Sequence, residues 1–303
     1  MTVAQLAELS RRHLGMDLSL YHAHVLPDLD GATPSMHAPM ADLASRILPR
    51  VLRQAAGAKS DQGVLLLQFS TRDVFPDEDD DVLSIDATHL FGTLSESYAN
   101  SWNQLAIALF TVKQQVSQHL GRPRLRVHGS KHLTAATMLG HVFRAASGFQ
   151  IEIRQRETFW ATDCQPADTL PFHVVEEPGS YHTSSLFVEV NATDKTVRDA
   201  VRRYIQQNDN YPALSLRFTR ASASAGYEPI DNARCCAMAL QIRHSISTVV
   251  SQNEIADIHL FGAMPQALAL MIGYHLNALR PVQLYEYIQG MYQPSYRLLM
   301  DGI

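Results

Sequence analysis

The sequence predicts an α/β protein of two pseudo-symmetric Rossmann-like lobes, each with a mostly parallel sheet, plus a short helical N-terminal segment. Three observations predict it. Strand-like and helix-like stretches alternate, which is the pattern of parallel strands joined by crossover helices. The chain also repeats itself. LRVHGSKHLTAATMLGHVFRAASGFQIEIRQRETFW (125–160) aligns without a gap with IHLFGAMPQALALMIGYHLNALRPVQLYEYIQGMYQ (258–293). Gly129 then matches Gly262 and Gly140 matches Gly273 at one offset of 133 (262 − 129 and 273 − 140). Finally, 303 residues is a length for about two domains. Two copies are too few to stack as a solenoid. They predict two related lobes with a ligand between them.

Each element has its own reason. Residues 1–60 read as a helical and loop segment: AQLAELSRRHL has helical spacing, PDLDGATPSMHAP is a loop, and ADLASRILPRVLRQAA is a helix broken at Pro49. The first lobe spans 61–180. It opens with the buried strand GVLLLQFS, passes through the acidic loop FPDEDDD, and continues with a helix over 102–120 before the first copy. The second lobe spans 181–303 and opens with the strand SLFVEVN. In the helix DKTVRDAVRRYIQQ, Asp194 can cap the start, and Val197, Val201, Tyr204 and Ile205 share a face. The strand ALSLRFT, the long helix NARCCAMALQIRHSISTVVSQ and the second copy follow. Within the copies, Leu133, Ala136, Leu139 and Phe143 form one apolar helix face, and Leu268, Ile272 and Leu276 form the other. Gly140 and Gly273 lie inside those helices, where glycine costs roughly 1 kcal/mol, so close packing of helix on sheet is expected there.

Composition narrows the function classes. A hydrophobic content of 46% with 18% charge fits a soluble globular chain. No apolar run approaches a membrane span, and the N-terminus has no secretory h-region. Three cysteines (Cys164, Cys235, Cys236) predict no disulfide framework and suggest a reducing cytoplasm. The net charge of −5 argues against coating bulk DNA or RNA. Yet Arg122 to Arg156 holds seven basic residues against Glu152, or +6, whereas the second copy has only Arg280 against Glu286. One copy is thus equipped for a compact anion. There is no G-x-G-x-x-G for a dinucleotide and no G-x-S-x-G for a hydrolase. His22, His24, Asp28, Asp30 and His37 could hold a metal, but the segment reads first as an irregular cap and second as a docking surface for an effector. No metal or cofactor is expected.

Ligands of parallel sheets sit at the carboxyl ends of the strands, beside helix N-termini with free N–H groups. The first copy places Gly129, Ser130, Lys131 and His132 there, with Lys131 the leading phosphate contact. The second copy places Phe261, Gly262, Ala263, Met264 and Pro265 there, an uncharged wall for a base or sugar. Pro265 suits the first helical position. The next strand of each copy ends in a polar and aromatic patch. It holds Arg154, Arg156, Thr158, Phe159 and Trp160 in the first copy, and Tyr287, Gln289 and Tyr292 in the second. Such rings stack on nucleobases at roughly 1–3 kcal/mol per base. Trp160 and Tyr292 are the stacking candidates, with packing as the alternative role.

HLFGAMPQALALMIGYHLNALRPVQLYEY in the second copy and HGSKHLTAATMLGHVF with FQIEIRQRETFW in the first resemble the SAVED domain, over roughly residues 60–295. That is the sensor module of bacterial CBASS and some type III CRISPR antiviral systems. The resemblance implies two fused CARF-like units that bind a cyclic oligonucleotide, a cyclic oligoadenylate or a mixed tri- or tetranucleotide. It further implies head-to-tail association on binding and control of an effector. Only about 60 residues precede the first strand, too few for a fused effector domain, so the expectation is a separate effector protein, with a sensor fragment or a signalling relay as the other two readings. Binding without chemistry is the main reading. Two alternatives stay open: cleavage of the ring by a 2′-hydroxyl positioned by Ser130, Lys131, His132 and Thr158, and a scaffold subunit that senses nothing.

Overall fold

The structure, a computed structural model, describes residues 63–72, 83–91, 98–180, 182–193, 197–220, 229–276 and 280–299. The expectations for residues 1–60, the acidic loop 75–81 and the Asp194 cap lie outside the described residues. Contacts divide the chain into two compact units, 1–131 with 149–154, and 132–148 with 155–303.

The first unit contains β1 (Val64–Ser70), β2 (Leu83–Asp86), α1 (Tyr98–Leu120), β3 (Arg124–His128) and β4 (Gln150–Gln155). The strands run parallel in the order β2-β1-β3-β4. β1 is central, which is why VLLLQFS is apolar at nearly every position. The helix α1 buries Trp102, Leu105, Leu109, Val112 and Val116, a stripe at helical spacing. In β3 and β4 the residues alternate. Leu125, Val127, Ile151 and Ile153 are fully buried on one face. On the other, Glu152 accepts from both Arg124 (3.1 Å) and Arg126 (2.7 Å). Two of the seven basic residues of this stretch are therefore ion-paired within the sheet.

The second unit contains α2 (Leu133–Val142), β5 (Thr158–Ala161), β6 (Phe172–Pro178), β7 (Ser185–Asn191), α3 (Arg198–Asn208), β8 (Leu214–Arg220), α4 (Asn232–Gln252), β9 (Asp257–Ala263), α5 (Gln266–His275), β10 (Val282–Ile288) and β11 (Met291–Leu298). Its sheet order is β11-β10-β9-β7-β8-β6. The four central strands are parallel, and β6 and β11 close the edges antiparallel. Set side by side, β8-β7-β9-β10 repeats the order β2-β1-β3-β4, so both copies share one topology. The expected α/β architecture with mostly parallel sheets is what the chain adopts. The edge strands β6 and β11 went unread because FHVVEEP and MYQPSYRL mix charge and proline into the strand pattern, as edge positions permit.

Helices α2 and α5 pack on each other, and their glycines explain how. A Cβ on Gly140 would run into the carbonyl oxygen of Leu270, and one on Gly273 into that of Thr137. Both pairs obey the same offset (273 − 140 and 270 − 137 are each 133), so the helices cross by a local two-fold relation. The expected close packing is therefore helix on helix rather than helix on sheet.

The cysteines require a correction. Cys164, in the loop after β5, and Cys236 of α4 are joined by a disulfide across 72 residues, and Cys235 remains free and buried. Neighbouring helical residues point about 100° apart, so Cys235 and Cys236 face different surroundings. The Ala167 N–H donates to the Ala233 carbonyl (3.0 Å), which brings the loop against the start of α4.

Candidate ligand-binding site at the strand ends

In the first copy, β3 ends at His128 and the chain turns through Gly129, whose φ is 91°. A Cβ there would meet the Phe69 carbonyl and the Ser70 hydroxyl, so the turn requires glycine. The Ser130 carbonyl accepts from the N–H groups of Thr71 (2.9 Å) and Arg72 (3.3 Å), joining the ends of β1 and β3. Lys131 does not reach into solvent. It is 1% exposed, and its Nζ donates to the carbonyls of His128 (2.9 Å) and Gly129 (2.6 Å). Burial lowers its pKa to about 7. This lysine fastens its own turn.

The second copy reproduces the turn. The Ala263 carbonyl accepts from Ala192 (3.0 Å) and Thr193 (3.2 Å), joining the ends of β7 and β9. Ser130 and Ala263 are matched residues (263 − 130 = 133). The Met264 methyl lies where a Cβ of Gly262 would be. Pro265 sits one position before its expected place, at the cap, and α5 begins at Gln266.

Start of α2 differs from what its sequence suggests. The Thr134 N–H donates to the Glu286 carboxylate of β10 at 2.7 Å, and the Thr134 and Ser295 hydroxyls share a 2.7 Å hydrogen bond. Glu286 is only 4% exposed. A buried carboxylate thus stands where the helix dipole would favour an anion. Beside it lies a cavity of about 20 Å³, room for a single water, lined by Thr134, Thr137, Leu260, Gly262, Met264 and Leu284 among others.

The rings divide into buried and exposed. Phe261 stacks on Tyr285 at 4.2 Å and meets Tyr292 edge-on at 5.1 Å, within the core beneath α3. The Tyr292 hydroxyl donates to the Gly262 carbonyl (3.3 Å). Tyr287, 54% exposed, leans edge-on against Tyr292 at 5.3 Å. These contacts gather Phe261, Gly262, Tyr287 and Tyr292 into one cluster. A second cluster forms in the β5 hairpin, where Trp160 Nε1 donates to Thr158 Oγ1 (3.1 Å). Phe159, Thr158, Arg154 and Arg156 are exposed, and Trp160 and His132 are half-buried. Both hairpin turns carry a left-handed residue at matched positions, Arg156 (φ 57°) and Gln289 (φ 50°), again offset by 133 (289 − 156). The Gly290 carbonyl of the second turn accepts from Arg203 of α3 at 3.2 Å.

The sequence reading missed four polar groups at these strand ends: Glu286, Ser295, Glu189 and Asn191. A signal existed for Glu189, since a charged residue inside SLFVEVN is out of place in a strand buried on both faces. Among the described residues no cluster of His, Cys, Asp and Glu could hold a metal ion, and no helix is long and apolar enough to cross a membrane.

Comparison with known proteins agrees with this architecture. CD-NTase-associated protein 4 of an Acinetobacter species is 23% identical over 67% of this chain, and that of Moraxella osloensis is 22% identical over the same share. The chain spans less than half the length of these relatives, 43% and 42%. Among solved structures, the Acinetobacter baumannii Cap4 SAVED/CARF-domain containing receptor with the cyclic trinucleotide 2′3′3′-cAAA superposes with a TM-score of 0.67. That match has 19% identity and covers 84% of this chain and 56% of the receptor. The Moraxella osloensis Cap4 receptor gives 0.59 at 20% identity, covering 80% and 53%. At such identities these structures speak for the fold. The family model for the SMODS-associated and fused to various effectors sensor domain matches residues 110–298, and the chain therefore belongs to the SAVED family.

Proposed function

We propose that this chain is a cytoplasmic receptor for a cyclic oligonucleotide, a ring of three or four nucleotides, and that binding changes its assembly state and so controls a separate effector protein in antiviral defence. Family membership is the observation that carries the reading. It is supported by the fold likeness to receptors bound to cyclic trinucleotides and by the duplicated strand-end turns. In this reading the exposed Arg154 and Arg156 meet phosphates, and the exposed Tyr287 and Phe159, with Trp160, stack on bases. Lys131, fastened to the carbonyls of its own turn, keeps that turn in shape. Tyr292 supports Tyr287 from below.

The test is titration calorimetry of the purified chain against cyclic di-, tri- and tetranucleotides, followed by light scattering of any complex. Tight binding with particle growth is expected. Arg154→Ala with Arg156→Ala should then weaken binding at least about tenfold, or about 1.4 kcal/mol. Binding without growth would remove the assembly switch, and no binding to any ring would remove the receptor reading.

A further inference from the structure

The Cys164–Cys236 disulfide ends at the hairpin read above as base-stacking. Cys164 stands four residues after Trp160, and Cys236 is the fifth residue of α4. The Cys164 N–H donates to the Ala161 carbonyl of β5 at 3.4 Å, so the turn that carries the cysteine closes directly on the strand. At the other end, Cys236 is 2% exposed, and its Sγ lies 3.9 Å from Met271 Sδ of α5. The bridge thus fastens the end of the hairpin that carries Thr158, Phe159 and Trp160 to the layer where α4 meets α5.

Its surroundings suit a bond that opens and closes. Access is one-sided, because Cys164 is half-buried and Cys236 is buried, so an incoming thiolate reaches Cys164 Sγ first. The opened state also has a place for each thiol. Cys164 Sγ lies 3.4 Å from the Asn232 carbonyl oxygen and Cys236 Sγ lies 3.5 Å from the Ala161 carbonyl oxygen, so each S–H finds an acceptor where it stands. The far part of the loop has ties of its own. The Ala167 N–H donates to the Ala233 carbonyl (3.0 Å), and Phe172 of β6 exchanges hydrogen bonds of 3.0 and 2.9 Å with the Gln241 amide of α4. Opening the bridge therefore frees the β5 end of the loop and leaves the β6 end in place. Cys235 is fully buried, which pushes its thiol up and keeps it inert. In a reducing cytoplasm the disulfides that do occur are usually transient or redox-sensing, which favours a switch over a staple.

We propose that the Cys164–Cys236 pair is a redox switch on the ligand site: the disulfide holds the β5 hairpin ready for the ring, and reduction by a dithiol releases it. This rests on the cyclic-oligonucleotide reading given above. A thiolate of the reductant attacks Cys164 Sγ, the bond to Cys236 breaks, and a mixed disulfide forms at Cys164. Cys236 leaves as a thiolate and takes a proton. The second thiolate of the reductant then displaces Cys164, which takes a proton in turn. The reductant ends as a disulfide, and the protein has gained two electrons and two protons as two thiols. A hairpin held in advance has less freedom to lose on binding, so the oxidised form binds the ring more tightly.

The experiment compares the full chain in its oxidised form with the same chain treated with dithiothreitol under native conditions. Alkylation in denaturant should find one thiol, Cys235, in the oxidised form and all three in the reduced form. Without denaturant, dithiothreitol should open Cys164 to alkylation while the circular dichroism stays unchanged. Calorimetry with cyclic di-, tri- and tetraadenylate should then show the ring that binds held at least about fivefold more weakly after reduction. Cys164→Ser should bind like the reduced form with or without dithiothreitol, and Cys235→Ala should respond like the wild type. Three thiols before reduction, a bridge that opens only when the chain unfolds, or equal affinity of the two forms would overturn the switch while leaving the receptor reading intact. Failure of every ring to bind either form would overturn both.

Discussion

The two copies of the strand-end turn carry out the same backbone task with opposite chemistry. Ser130 and Ala263 each present a carbonyl to two N–H groups at the end of a neighbouring central strand. Charge counting alone assigns the anion to the first copy, because it holds Lys131. In the folded chain Lys131 is spent on two carbonyls of its own turn, and the helix that follows starts against Glu286. The second turn has no charge, and the residue matching Glu286 in the first copy is Ile153 (286 − 153 = 133). A basic residue in a sequence is therefore not a free cation in a fold. Backbone demands claim it first when a turn brings unpaired carbonyls together.

Five substitutions probe how far this duplication goes. The largest effect should come from the paired glycines. Gly140→Ala and Gly273→Ala each drive a methyl into a carbonyl of the opposite helix, so each should cost at least about 3 kcal/mol in chemical denaturation. An exposed helical glycine would instead gain roughly 1 kcal/mol from alanine. A large difference between the two losses would break the local two-fold relation of α2 and α5.

Next comes the buried acid of the second unit. The Glu189 carboxyl is raised from 4.5 to about 7, so the folded state binds the extra proton between those values. Its stabilising contribution is present below pH 4.5 and is lost as pH rises through about 7. Wild type should therefore lose roughly 3 kcal/mol relative to Glu189→Gln across that window, as an order of magnitude. Parallel stability curves for the two proteins would contradict the burial of this carboxyl.

Glu286→Ala should cost about 2 kcal/mol, because it strips the buried Thr134 N–H of its partner. Conversely, Glu152→Ala should cost less than about 1 kcal/mol, since Arg124 and Arg126 are partly exposed. Urea titrations of both variants check the order. If Glu152 mattered more than Glu286, the first unit's charges would be structural rather than peripheral.

How much of this was legible in the sequence follows from what each feature depends on. The 133-residue offset was visible because glycines at a turn and within a packed helix are dictated by local geometry, and geometry repeats when topology does. The strand-end turns could be read for the same reason. The fate of Lys131 could not, since its partners are backbone carbonyls that carry no residue signature. Nor could the Cys164–Cys236 bridge, which joins a loop to a helix start 72 residues away. Tyr292 shows the limit of pattern reading at an edge hairpin. The pattern marked Tyr292 as a stacking candidate with packing as its alternative, and in the fold Tyr292 packs into the core while Tyr287 stays exposed.

Whether the strand-end turns hold a cyclic oligonucleotide can be read from amide hydrogen exchange with and without cyclic triadenylate. Protection concentrated at residues 129–132, 154–160, 261–265 and 287–292 is expected. Protection that leaves those turns unchanged, or none at saturating ligand, would contradict it.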